Sequence, residues 1–261
     1  MVEITSKSNE RLKDLIALAG SKKLRDEKNI VLVDGVKLCL DAVATGHSLI
    51  ELWVTESALE RYSEEASRLY RSASEVFVLK DHASQRISDL KSPQGIWGIF
   101  ARPEQPDVSS CFEYRRVLGI CNVQNPENAG AMIRTASALG FDAAILSSEC
   151  SDIWSPRAIR AGALSQMNLP CISVDDFGEA LKELSAMGFH SYASSLNPAA
   201  SKVEDICVEE KAFLIIGNEG HGIPIEIIEK CDKSIYIPMA NDVESLNANA
   251  AAAILMWVFR K

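Results

Sequence analysis

The alternation of apolar and polar positions divides the chain into two stretches of different character. The first mixes helix and strand. A charged helix is predicted over 9–23, then a strand over 29–33 that runs into Asp34-Gly35. A helix over 36–45 follows, with short strands over 50–54, 76–79 and 96–101. The segment RPEQPDVSS, with Pro103 and Pro106, reads as a linker. Beyond it strands and helices alternate regularly. Strands are expected near 117–121, 143–146, 171–174, 190–194, 213–216 and 234–237. Helices are expected near 129–139, 155–167, 176–187, 224–231 and 246–259. This order predicts an α/β fold whose mainly parallel sheet carries helices on both faces. The expected domain boundaries are 1–102, a linker over 103–113, and 114–261.

Composition sets limits on that picture. With 261 residues, 47% hydrophobic and 24% charged, the chain is expected to be soluble and to build a full core. The first residues, MVEITSKSNERLKDL, lack the apolar stretch of a signal peptide, and the longest apolar run, 250–259, is about half of what spans a bilayer. A cytoplasmic protein without a membrane anchor is expected. The seven cysteines form no CxxC pair, so they read as reduced and mostly buried, with no metal site. A net charge of −9 argues against nucleic-acid binding over the whole surface. Residues 1–28 depart from this balance, with seven bases against five acids. They form either a solvated helix face or a local phosphate-contacting patch.

Three segments at strand ends carry the candidate chemistry. In NPENAGAMIRTASALG, residues 125–140, Asn128 reads as the N-cap of a helix and Gly140 as its stop. Met132, Ile133, Ala136 and Leu139 share one face of that helix, and Arg134 projects from the opposite side. In LIIGNEGHGIP, Gly217, Gly220 and Gly222 break an apolar run. The spacing is not that of a dinucleotide loop, and Glu219 would repel a pyrophosphate. A carboxylate held there orients a cation or a hydroxyl, and His221 reads as a loop residue. In VESLNANAAAAI, Ser245 or Asn247 can cap a helix of small residues, buried in the core or in a subunit interface. The last two loops, at the ends of neighbouring strands, can face one pocket suited to a small, flat, polar cofactor.

Taken together these residues resemble the SpoU/TrmH family of the SPOUT superfamily, RNA ribose methyltransferases that use S-adenosylmethionine. NPENAGAMIRTASALGF looks like its first motif, LIIGNEGHGIP its second and IPMANDVESLNANAAAAI its third. ITSKSNERLKDL, VLVDGVKLCLDAV and LKSPQGIWGIF look like the substrate-binding domain, similar to ribosomal protein L30e, that many members carry. The resemblance implies a C-terminal domain with a trefoil knot, a homodimer joined through it, and RNA as substrate, ribosomal ahead of transfer RNA. Gly217, Ile237, Leu246 and Ser194 match cofactor-contacting positions. Arg134 matches the catalytic arginine, and Asn128, Glu219, Ser245 and Asn247 match the polar residues around it. Two positions depart from the pattern. Asn241 replaces a frequent glycine, and Asn249 a small hydroxyl residue, adding bulk and donors.

The implied reaction is in-line attack of a ribose 2′-hydroxyl on a sulfonium methyl group, helped by positioning and exclusion of water. A guanidinium is permanently charged and makes a poor base. Two functions from other classes compete with this one. A non-catalytic RNA-binding relative would need none of the five polar motif positions, and an NAD-dependent dehydrogenase lacks its GxGxxG after the first strand of the sheet.

Overall fold

Apolar runs flanked by Gly, Pro and Asn become the central strands of two separate sheets. The computed structural model describes residues 1–197, 200–240 and 245–260. The chain divides into two units, Met1–Pro103 with Trp154–Leu164, and Glu104–Ile153 with Ser165–Lys261.

The first unit holds β1 (Val2–Ile4), β2 (Ile30–Asp34), β3 (Leu49–Thr55), β4 (Glu75–Leu79) and β5 (Ile96–Ala101), in the order β1-β4-β3-β5-β2. Strands β1, β4 and β3 are parallel, whereas β5 runs antiparallel to β3 and β2. Leu12, Leu15 and Leu18 of the helix Glu10–Gly20 pack on this sheet beside Trp53, Phe77 and Trp97. Trp53 and Phe77 stack with centroids 4.2 Å apart. The helix predicted over 9–23 breaks at Ser21, whose hydroxyl accepts from the Leu24 amide and caps a second helix, Lys22–Lys28. Helices Glu56–Arg61 and Ser63–Ser72 were not legible in the pattern. Ala58 is the one buried residue of the first, and Ala66 and Leu69 are those of the second, whose other positions are mostly polar or charged.

The second unit is built on β6 (Arg116–Ile120), β7 (Ala143–Ser147), β8 (Cys171–Val174), β9 (His190–Ser194), β10 (Ser201–Lys202), β11 (Ala212–Ile216) and β12 (Lys233–Tyr236). Their order is β10-β12-β9-β11-β6-β7-β8, and every pairing is parallel. Strands β7 and β11 are buried at every position, which is why they read as unbroken apolar runs. From β6 the chain builds outward through β7 to β8, then crosses to the other side and returns with β11 beside β6. Such a reversal leaves a crevice at the carboxyl ends of the central strands.

Two local expectations are corrected. Asn125, not Asn128, caps the helix Pro126–Ala138, its side-chain oxygen accepting from the Glu127 amide at 2.9 Å. Pro126 fits the first helical position because it has no amide hydrogen to satisfy there. The helix expected over 155–167 is two, Pro156–Gly162 and Ser165–Asn168, separated by Ala163 and Leu164 at φ of 45° and 68°. The first of these belongs to the first unit.

Candidate active site

The second unit carries a cavity of about 500 Å3 at the carboxyl ends of β9, β11 and β12. Ser194, Gly217, Ile237 and Leu246, the four residues matched to cofactor positions, all line it. Ile216, Ile235 and Leu255 supply apolar wall, and Ser194 and Ser245 supply hydroxyls. The described lining includes Glu219 and no lysine or arginine, a balance that suits a cationic ligand.

The loop after β11 is held by its own amides. The Asn218 and Gly222 backbones exchange two hydrogen bonds of 3.0 Å. The Asn218 side-chain oxygen accepts from the amides of Gly220 and His221 at 2.8 and 3.0 Å, and its Nδ2 donates to the Asn122 carbonyl at 2.8 Å. The chain folds back so tightly that a Cβ on Gly217 would stand 2.4 Å from the Gly222 carbonyl carbon. Only glycine fits there. Asn122, at φ 58°, occupies the left-handed region that asparagine tolerates. Its amide donates to Ser147 Oγ at 2.9 Å, tying the turn after β6 to β7.

A second network joins all three motifs. Asn128 Nδ2 donates to Glu219 Oε1 at 2.6 Å, and Asn249 Nδ2 donates to Asn128 Oδ1 at 2.8 Å. Asn128, released from capping, lies in the first turn of its helix and faces the loop after β11. Asn247 is the cap of the last helix, Ala248–Phe259, its side chain accepting from the Asn249 amide at 3.0 Å. Ser245 lines the cavity and is exposed. Arg134 does not join the group. It is exposed on the Pro126–Ala138 helix and makes no hydrogen bond or ion pair among the described residues. Its place six residues beyond Asn128 puts it on another face of that helix. Asn241 lies outside the described residues.

Asn122 and Asn218 were missed by sequence reasoning. Asn218 stands between glycines, and Asn122 follows a buried strand end; both are positions where an asparagine commonly serves a turn. The nearby thiols are inert. Burial pushes Cys121 up to about 12 and also raises Cys150, so neither supplies a thiolate nucleophile.

A parallel sheet with a reversed strand order, a glycine-pinned loop and a cavity suited to a cation agree with the SPOUT-type methyltransferase that the three motifs resemble. Residues 115–257 match the model of the SpoU rRNA Methylase family, and residues 9–98 match that of the MRM3-like substrate binding domain. The 23S rRNA (guanosine(2553)-2'-O)-methyltransferase RlmP of Bacillus subtilis (strain 168) is 31% identical over 261 residues, covering 100% of both chains. The mitochondrial rRNA methyltransferase 3 of Xenopus tropicalis is 27% identical, covering 95% of this chain and 74% of that protein. The AdoMet-bound rRNA methyltransferase from Sinorhizobium meliloti superposes with a TM-score of 0.83 at 26% identity, covering 98% and 96% of the two chains. The chain belongs to the SpoU rRNA methylase family. It is an RNA methyltransferase with S-adenosylmethionine as methyl donor.

Proposed function

We propose that the protein methylates a ribose 2′-hydroxyl in ribosomal RNA, with Ser194, Gly217, Ile237 and Leu246 holding the cofactor. The observation that carries this reading is the meeting of all three motifs beside one cavity, through Asn128, Glu219 and Asn249. Gly217 lets backbone rather than side chain form the cavity floor, and the apolar wall excludes water from the reacting atoms. Bound S-adenosylmethionine supplies an electrophilic methyl group on a cationic sulfonium. Ser245 and Asn247 stand at the entry to the last helix, where they orient the incoming ribose.

Arg134 acts as a fixed cation. It grips the phosphate beside the target ribose and stabilises the alkoxide that develops at the 2′-oxygen, while a phosphate oxygen or water takes the proton. Its exposure, and its position off the face of Asn128, favour service to the site of a second copy. A homodimer through the last helix is consistent with that. Ile254, Trp257 and Val258 are 42%, 56% and 36% exposed on it, an apolar strip that a second copy would cover. A cytoplasmic location fits a ribosomal substrate. Among the described residues no helix is long and apolar enough to cross a membrane. The basic excess of residues 1–28 supports an RNA-contacting role for the first unit.

Mass spectrometry of ribosomal and transfer RNA from a deletion strain should show one missing 2′-O-methyl group, in ribosomal RNA. Loss from transfer RNA alone would move the substrate, and no loss at all would favour a non-catalytic RNA-binding relative. Complementation with Arg134→Ala should fail to restore the mark, while the purified variant binds S-adenosylmethionine nearly as the parent does. Restored methylation would remove Arg134 from the reaction.

A further inference from the structure

One of the two residues that depart from the family pattern, Asn249, touches Asn128 and is not among the residues lining the cavity. Its side chain completes a chain of three polar groups that starts at Glu219. A carboxylate only accepts hydrogen bonds, so Asn128 must turn its Nδ2 toward Glu219. That leaves Asn128 Oδ1 facing Asn249, which must answer with its own Nδ2. The Asn249 Oδ1 is then the far end of the chain, buried and without a donor. Every amide orientation thus follows from the charge at Glu219 and not from what best satisfies Asn249.

We propose that Asn249 is a positioning residue. Its amide donor locks the polarity of Asn128, which holds the Glu219 carboxylate, and with it the loop Gly217–Gly222, in place over the cofactor cavity. This rests on the function proposed above for the benefit to the cofactor, but the polarity of the chain stands without it. A structural role for Asn249 alone predicts something different. The residue sits at the second position of the helix Ala248–Phe259, where a carboxylate is favoured by the helix dipole. On helix stability alone, Asn249→Asp would be neutral or stabilising. On the polarity argument it is harmful, because an acceptor-only group then faces Asn128 from both sides.

The test is a double-mutant cycle on the full-length protein, read by thermal unfolding without ligand and by calorimetric titration with S-adenosylhomocysteine. N249D should lower the unfolding midpoint and weaken binding about ten-fold, the size of one misplaced hydrogen bond to a charged group. Adding E219Q should restore the midpoint lost in N249D, since the glutamine amide can donate to Asn128 Oδ1 while Asn128 Nδ2 donates to the new carboxylate. N249A removes the donor without reversing polarity, so it should weaken binding less and gain nothing from E219Q. A midpoint in N249D at or above that of the parent would overturn the proposal. So would equal recovery by E219Q in the N249A and N249D backgrounds. If the parent binds no S-adenosylhomocysteine, the proposed function fails, while the unfolding cycle still decides the polarity.

Discussion

Each unit gathers polar side chains at the carboxyl end of a strand, and the two gatherings are built from opposite materials. In the first unit Asp34, at the end of β2, is buried and takes a hydrogen bond from Ser88 and a 3.4 Å contact from Arg160. Arg160 also binds Asp89 at 2.5 Å, and Arg157 pairs with the same carboxylate. In the second unit the gathering beside the strand ends is of amides, Asn122, Asn128, Asn218 and Asn249, with Glu219 as the charged member. The charged cluster pairs opposite charges, Arg157 and Arg160 against Asp34 and Asp89. The amide cluster fixes backbone while leaving a cavity beside it whose lining carries little charge of its own. Opposite charges around one buried carboxylate suit a joint that should not move, and neutral amides suit a site that must receive a charged ligand.

The comparison breaks most readily at Gly217. Gly217→Ala puts a methyl group against the Gly222 carbonyl, which is backbone and cannot swing aside. Cofactor binding should fall more than a hundred-fold, on the order of 3 kcal/mol, as calorimetric titration would show. The unfolding midpoint should move little by comparison, because the loop lies beyond the carboxyl end of β11 and outside the strand pairing. A parallel loss of fold and affinity would mean that the loop is part of the core. Next in size is Asn218→Ala, which removes three hydrogen bonds that hold the same loop. About 2 kcal/mol of cofactor affinity should go with them, again with a smaller effect on unfolding. Retention of full affinity would show that the Gly217–Gly222 turn holds without its asparagine.

Much of this was legible in the chain, and the illegible parts share a physical cause. Strands β6, β7, β8, β9, β11 and β12 all fall within one residue of their expected limits at each end; β7 and β11 do so because a parallel strand buried throughout is an unbroken apolar run. The two-residue β10 has no apolar content and gave no signal. The three motif loops were visible as departures from periodicity, and the structure brings Asn128 and Glu219 together as a pair. Asn249 was visible only as a departure from the family pattern. Its partner lies 121 residues away, and no spacing rule reports a contact of that range. Asn125 was overlooked as a cap because Asn128 stands three residues on with the same chemistry, and the proline between them decides the matter. Arg134 was placed on the face opposite the core, and the structure leaves it exposed there.

The charged cluster should respond to substitution in stability rather than in binding. Arg160→Met keeps much of the side-chain volume but leaves Asp34 buried without its cation, with Ser88 still donating to it. A loss of about 1.5 kcal/mol in urea unfolding is expected, below the range for a fully buried pair because the Arg160 side chain keeps 20% of its exposure. Cofactor affinity should be unchanged. A drop in affinity without a drop in stability would erase the distinction between the two clusters.

The smallest effect is one of pH, and its sign separates the two carboxylates of that cluster. Burial raises the Asp34 pKa above its ordinary 3.8, with Asp89 adding repulsion, against the opposing pull of Ser88 and Arg160. The folded state therefore holds this proton more tightly than the unfolded chain does. Ionised Asp34 costs stability at neutral pH, and that cost is relieved as pH falls through its raised folded value. Asp89 behaves oppositely. Burial raises it, but hydrogen bonds from Arg157 and Arg160 outweigh that and leave it below the ordinary range. Its contribution is present above the ordinary carboxylate pKa and is lost as pH falls through the depressed folded value. On acidification the gain from Asp34 should come first, above about pH 4, and the loss from Asp89 only below it. Asp34→Asn should flatten the first limb of a urea-unfolding series against pH and leave the second. If the variant keeps the first limb, the proton is taken up elsewhere, and Asp34 is not the strained member of the joint.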